Sequence, residues 1–332
     1  SDLACVANYD VTLSCEPVSI KAGRSGVTND KLTTFTLKEA VKDSLVSTRK
    51  IEFSLENGYI FGPADVKNNE STAGSTVATT TKQYKEDAKA RFKELIDEGI
   101  IKFEADAAAK DDKKGFELTD ITINADGYVT GFMGYFDRLS SANSNEIKVT
   151  MPVAAAVQAK GEVKLTASNL FTRTYKEDVS CVVAKIVEPI KVEVENAAIK
   201  VGLQDQKAGK IVIKETDKGM LSTGWIYLSA ENLQKGITFD EVPEIKVTSG
   251  NMKIKNQQIT RDKDAVAFEI ERTSTEASTI EISNIKFTAD RTVPEANYDL
   301  EIWGEGLTDE NILDVMTRVS TNVLNSRSYR DQ

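Results

Sequence analysis

The residues of this chain best able to do covalent chemistry are its three cysteines, Cys5, Cys15 and Cys181. Their spacing removes most of that chemistry. They are widely separated, with no C-x-x-C pair, so they match no zinc or iron–sulfur ligand set. Disulfide formation remains. Cys5 and Cys15 fall on one face of an alternating segment, but that length of strand covers about 33 Å, far beyond the reach of an S–S bond. The expected bridge joins Cys181 to Cys15 or to Cys5, within one chain or between two chains. The cysteine left over is a candidate for a bond between chains or a buried free thiol. Three buried thiols packing as small hydrophobes are the alternative.

Other chemistries lack their parts. Histidine is absent, which takes away the commonest general base, the commonest transition-metal ligand and the Ser-His and Cys-His pairs. The 52 acidic residues would serve a carboxylate-only hydrolase, but no pair stands out. The expectation is no enzyme, no cofactor and no metal site. Asp126, Asp137, Asp262, Asp264 and Asp290 lie near turn signals and could help hold Ca²⁺, yet no EF-hand or nonapeptide loop is present. Trp225, Tyr227, Trp303, Tyr128, Phe132, Tyr135 and Phe136 could form a sugar-stacking platform. The ordinary reading of such residues, a sandwich core, is preferred. Asn69-Glu70-Ser71 is a glycosylation sequon in a polar stretch.

The elements that must place these residues begin at the N-terminus. Cys5, Ala7, Tyr9, Val11, Leu13 and Cys15 occupy the odd positions, with mostly polar residues between them, which is the period of a strand. Its apolar face must be covered either by its own sheet or by the sheet of a neighbouring molecule through strand addition. The net charge of −10 disfavours nucleic acid and anionic lipid as partners. No apolar run is long enough to span a bilayer. A start at Ser1 rather than Met fits a secreted chain from which a signal peptide has been removed.

The chain repeats itself. Ser47-Thr48-Arg49-Lys50-Ile51-Glu52-Phe53-Ser54-Leu55-Glu56-Asn57 aligns with Ser222 to Asn232 at an offset of 175, and Leu37-Lys38-Glu39 with Ile213-Lys214-Glu215 at 176. Ile20 to Gly23 resembles Ile199 to Gly202. Ile147-Lys148-Val149 matches Ile280-Glu281-Ile282 at 133, and Val163-Lys164-Leu165 is set against Leu300-Glu301-Ile302. The falling offset gives the first copy about 42 extra residues. A helix is expected there over about Thr81 to Glu98, with Tyr84, Ala88, Phe92, Leu95 and Ile96 on one face and Gly99 ending it. Elsewhere short alternating segments and turn signals, Asp126-Gly127 among them, predict strands and hairpins.

The fold class expected is mainly β, two tandem antiparallel β-sandwich domains. The strand over 1–15 comes first, then a sandwich over 16–175 with a helical insertion at about 66–115. A second sandwich covers 176–306, with the linker placed at Asn169 to Glu188. Thr308 is expected to cap a short C-terminal helix in the 307–332 tail, carrying Ile312, Val315, Met316 and Val319.

The stretch from Gly236-Ile237-Thr238-Phe239 to Gly304 contains Ile245-Lys246-Val247, Gly250-Asn251-Met252-Lys253-Ile254, Ser278 to Ile285 and Asp290 to Glu295. It resembles a module of secreted and cell-surface proteins of Gram-positive, often clostridial, bacteria. Those proteins often end in a stalk named for the N-terminal domain of copper amine oxidases. The stalk is not visible here and the histidines of a copper site are missing, so no copper function carries over. The resemblance implies an extracellular or cell-surface β-sandwich protein. The leading expectation is a structural subunit that polymerises with copies of itself, head to tail, the 1–15 strand completing a neighbour's sheet. The runner-up is an adhesin or a module that binds cell-wall polysaccharide.

Overall fold

A computed structural model describes residues 9–66, 82–105, 115–137, 139–140, 142–170, 177–230, 233–309 and 319–327. The chain is mainly β and divides into two compact units, Ser1–Val187 and Glu188–Gln332. In unit 1 the strands are β1 (Val11–Glu16), β2 (Val18–Lys21), β3 (Leu32–Glu39), β4 (Ile51–Glu56), β5 (Lys102–Ala105), β6 (Phe116–Ile123), β7 (Val129–Phe136), β8 (Glu146–Pro152), β9 (Glu162–Ser168) and β10 (Val179–Val187). They form a four-stranded sheet, β1-β3-β8-β5, and a six-stranded sheet, β2-β10-β9-β4-β7-β6. The chain passes from one sheet to the other at Pro17, whose missing N–H cannot continue a ladder.

Alternation explains the layers. Phe35 and Leu37 from β3, Ile51 and Phe53 from β4 and Ile147 and Val149 from β8 are all buried in one core that both sheets share. Their even-numbered neighbours carry the polar groups of the outer faces. Between β6 and β7 the expected hairpin is present: Gly127 has φ 86°, and Asn124 Oδ1 accepts the N–H groups of Asp126 and Tyr128.

Helix α1 (Lys82–Asp97) lies where the repeat placed the insertion. It packs into the core. Tyr84, Ala88, Phe92 and Leu95 are buried, and the Phe92 ring lies 5.1 Å from that of Phe132 in the core. The Tyr84 hydroxyl donates to the Gly127 carbonyl at 2.6 Å, Lys89 Nζ to the Thr119 carbonyl at 2.8 Å, and Arg91 Nε to the Asp65 carbonyl at 3.0 Å. Gly99, at φ 73°, ends the helix, and the Ile100 N–H returns to the Leu95 carbonyl as a Schellman cap requires.

Unit 2 repeats the plan. Its strands are β11 (Ile190–Val194), β12 (Ala197–Lys200), β13 (Leu203–Lys207), β14 (Ile211–Glu215), β15 (Gly224–Ala230), β16 (Ile237–Phe239), β17 (Glu244–Ser249), β18 (Lys253–Ile259), β19 (Ala265–Arg272), β20 (Thr279–Ser283), β21 (Lys286–Ala289), β22 (Asn297–Trp303) and β23 (Val319–Arg327). A four-stranded sheet, β11-β14-β20-β17, and a six-stranded sheet, β12-β23-β22-β15-β19-β18, reproduce the strand order of unit 1. A small third sheet, β13-β21-β16, is added.

Three expectations change. The break between units follows Val187, because β10 pairs with β9 and, in parallel, with β2, so it belongs to the first unit and not to a second one starting at 176. Val319 opens a strand that pairs with β22 and β12; Ile312, Val315 and Met316, the rest of the expected helix face, lie outside the described residues. Finally, equivalent ladders pair Leu55 with Leu165 and Ala230 with Leu300, so Leu300 corresponds to Leu165 rather than to Val163. A shift of two residues keeps every side chain on its face, so alternation alone does not distinguish the two alignments.

Candidate functional site

Three features could carry function: the first strand with its cysteine, a buried carboxylate at an equivalent point in each unit, and an aromatic row on unit 2. The first strand is resident. Val11, Leu13 and Cys15 lie on β1, opposite Glu39, Leu37 and Phe35 of β3 in the same chain. Their small apolar side chains complete the face that Phe35 and Leu37 present. This corrects the reading of the whole 1–15 segment as a strand given to a neighbour. Tyr9 lies just before β1, while Cys5 and Ala7 lie outside the described residues. Cys15 is bonded to Cys181 on β10, with Cα atoms 5.8 Å apart and a sequence separation of 166. The bond ties the edge of the four-stranded sheet to the six-stranded sheet. Unit 2 has Val194 at the position of Cys15.

At the end of β3 the Glu39 side chain is 1% exposed. Its Oε1 accepts the Leu45 N–H at 2.6 Å, and Oε2 accepts the Asn145 N–H at 2.6 Å and Nδ2 at 2.7 Å. Glu215, at the end of β14, is also buried. Its Oε1 accepts from Leu221 N at 3.0 Å, and Oε2 from Ser274 Oγ at 2.5 Å and Ser278 N at 2.9 Å. A carboxylate has only acceptors, and here it collects the donors that a turn and a neighbouring strand would otherwise leave buried and unmet. Both are structural staples. The aligned pair Leu37-Lys38-Glu39 and Ile213-Lys214-Glu215 carried this signal in the sequence, as a repeated acid after a repeated apolar position.

The aromatic residues divide between two places. Tyr128, Phe132 and Phe136 are buried in the core of unit 1, and Tyr135 is half-buried on an outer face. Trp225, Tyr227 and Trp303 are not core. They are half-buried on the outer face of the six-stranded sheet of unit 2. The Tyr227 and Trp303 rings stack at 4.3 Å and 15°, and Trp225 follows at 6.3 Å and 30°. Trp303 Nε1 donates to Ser229 Oγ at 2.9 Å, and the Trp225 N–H donates to Glu305 Oε1 at 3.2 Å. Gly304 has φ 123°, and a Cβ there would lie 2.3 Å from the Trp225 carbonyl oxygen and 3.1 Å from Tyr227 Cδ2. Burial first, and the charge of Glu305 second, raise the Tyr227 phenol above its ordinary pKa.

Among the described residues no cluster of three or more metal-ligating side chains occurs. Of the turn aspartates, Asp264 accepts the Thr260 hydroxyl, and Asp290 accepts the Thr292 hydroxyl and N–H, which together hold its carboxyl below the usual range. The Asn69 sequon lies outside the described residues. No described helix is long and apolar enough to cross a membrane.

No family model matches the chain, and no curated protein matches it. Among solved structures it is similar to the C-terminal domain of the Streptococcus agalactiae AgI/II polypeptide BspA, at 8% identity over 96% of this chain and 100% of that one, with a TM-score of 0.33. It is similar to the collagen adhesin of S. aureus, at 11% identity over 96% and 91%, with a TM-score of 0.21. It is also similar to a 35 kDa C-terminal fragment of the major pilin GBS80 of Streptococcus agalactiae, at 10% identity over 95% and 90%, with a TM-score of 0.26. None of the three is close enough in sequence or in superposition to transfer a role to this chain.

Proposed function

We propose that the chain is a structural subunit of an extracellular assembly, joined head to tail when residues 1–8 of one copy add to a sheet edge of the next. The observation that supports this lies at the start of β1. Its partner β3 ends at Glu39, and the chain then turns, with Ser44 N bonded to the Val41 carbonyl. The alternating sequence begins earlier, at Cys5, so residues patterned as strand extend past the strand that holds β1. The Cys15–Cys181 bond fits an oxidising compartment. Two sandwiches of one plan fit a repeating spacer. Strand addition of this kind is a heterologous contact that does not close on itself, so it generates a fibre or an array.

The test is negative-stain electron microscopy of the full chain beside a chain lacking residues 1–8. The deletion stops there because Val11–Glu16 and Cys15 are integral to unit 1. Filaments or arrays from the full chain alone support the proposal. Monodisperse particles from both refute it.

A further inference from the structure

The aromatic row of unit 2 has no counterpart in unit 1, although the two share strand order and register. Through the equivalence of β4 with β15 and of β9 with β22, Trp225, Tyr227 and Trp303 stand where unit 1 has Lys50, Glu52 and Ser168. The same sheet is therefore built without aromatic residues at these points. Unit 2 also holds its rings in place: Ser229, itself fully buried, fixes the Trp303 indole, Glu305 anchors the backbone of Trp225, and Gly304 leaves room for Tyr227.

We infer that this row binds a neutral polysaccharide, its aromatic surface packing on sugar rings while the neighbouring carboxylates accept sugar hydroxyls. Half-buried rings offer an apolar strip on an otherwise polar face, and rings of this kind give much contact area for little loss of side-chain freedom. Glu269 is the register partner of Trp225, and Glu305 lies against the same residue. Carboxylates are acceptor-only, which matches a ligand rich in O–H donors. An apolar protein surface is a poor match, because covering these carboxylates without donors is costly. Acidic polymers are a poor match too. Glu269 and Glu305 border the row, against Lys255 as the register partner of Glu269, and the whole chain carries −10, so a polyanion is repelled. The site goes beyond the assembly role and does not depend on it.

Both tryptophans of the chain are in the row, so tryptophan emission reports on this site alone. The intact chain is titrated with hexasaccharides of β-1,4-linked glucose, β-1,4-linked N-acetylglucosamine and α-1,4-linked glucose, and separately with polylysine as a cationic probe. The expected result is a saturable emission change with at least one glycan. Trp225→Ala weakens that binding by about tenfold or more, and Trp225→Phe, which keeps a ring, by less than about threefold. No response to any of the three glycans overturns the inference, as does a response to polylysine alone, or glycan binding that Trp225→Ala leaves unchanged. The titration of the unaltered chain is decisive even if Trp225→Ala does not fold.

Discussion

Removing the Cys15–Cys181 bond should destabilise unit 1 and leave unit 2 untouched. The magnitude follows from the 166-residue separation. In the chain-entropy account, opening a loop of that length costs about 5 kcal/mol at 25 °C, the upper end of the roughly 2–5 kcal/mol found when native disulfides are removed. A unit of this size loses roughly 2–4 °C of midpoint per kcal/mol, so its transition should fall by about 10–20 °C at the full figure. The variants are Cys15→Ala and Cys181→Ala, with Cys5→Ala as a control that should not move the transition. Differential scanning calorimetry follows the whole chain. Tryptophan emission follows unit 2 alone, because Trp225 and Trp303 are the only two tryptophans and both are there. The expected pattern is a lowered calorimetric transition with an unchanged emission midpoint. The reasoning fails if Cys5→Ala lowers the transition while Cys15→Ala does not, or if peptide mapping of the oxidised chain finds Cys5 joined to Cys181.

Three further outcomes are expected. Glu39→Gln puts an amide N–H against backbone donors, and should cost unit 1 about 2–4 kcal/mol in urea unfolding; Glu215→Gln should do the same in unit 2, and a loss under about 1 kcal/mol in both would remove the staple role. Burial of Tyr84, with a smaller contribution from the charge of Asp65, pushes its phenol pKa well above the ordinary value. The folded state thus holds a proton that the unfolded chain releases above about pH 10, so stability is full below that pH and falls as pH rises through the window up to the folded value. Tyr84→Phe should flatten this alkaline limb while lowering stability at neutral pH by about 1–2 kcal/mol through the lost bond to Gly127; an unchanged limb would count against it. Gly304→Ala forces a side chain into a left-handed backbone position and against Trp225, at a cost of roughly 1–3 kcal/mol or more. It should shift tryptophan emission, and wild-type emission and stability would contradict the close approach.

Local pattern was the legible part of this protein. Period-two runs such as Phe35/Leu37 and Ile51/Phe53/Leu55 are strands with those faces inward, and the 3.6-residue spacing from Tyr84 to Leu95 is a helix, because both periods report directly on which face is covered. The internal repeat extended this to architecture, since equivalent segments proved to be equivalent strands. What escaped depended on non-local pairing. β10 reads as a linker-proximal segment until β2 claims it as a parallel partner. Val319 has a helical neighbourhood in sequence, yet its ladder partner is Ile302. Glu39 and Glu215 sit beside lysines and, apart from their repetition, look like ordinary surface acids; their burial is decided by Asn145, Ser274 and Ser278, brought in from distant sequence. The aromatic residues look alike in sequence, but tertiary structure separates Phe132 and Phe136, which face the core, from the Trp225 row, which does not.

The parallel pairing of β2 with β10 has a mechanical consequence. In each unit the second strand and the last strand run side by side in the same direction, β2 with β10 and β12 with β23. Once the first strand, β1 or β11, has parted from its partner, tension on the two ends of a unit pulls these neighbours in opposite senses along their length, and their hydrogen bonds must yield together in shear rather than one after another. In unit 1 the disulfide takes the load before it reaches β2. Force entering at β1 crosses from Cys15 to Cys181 and leaves through β10 without passing along the intervening chain. About 550 Å of extensible contour is thereby removed from play while the bond is intact. Unit 2, with Val194 in place of the cysteine, keeps its full length in reserve. A pulled molecule should thus lengthen by one unit only, the second, and gain the first when it is reduced.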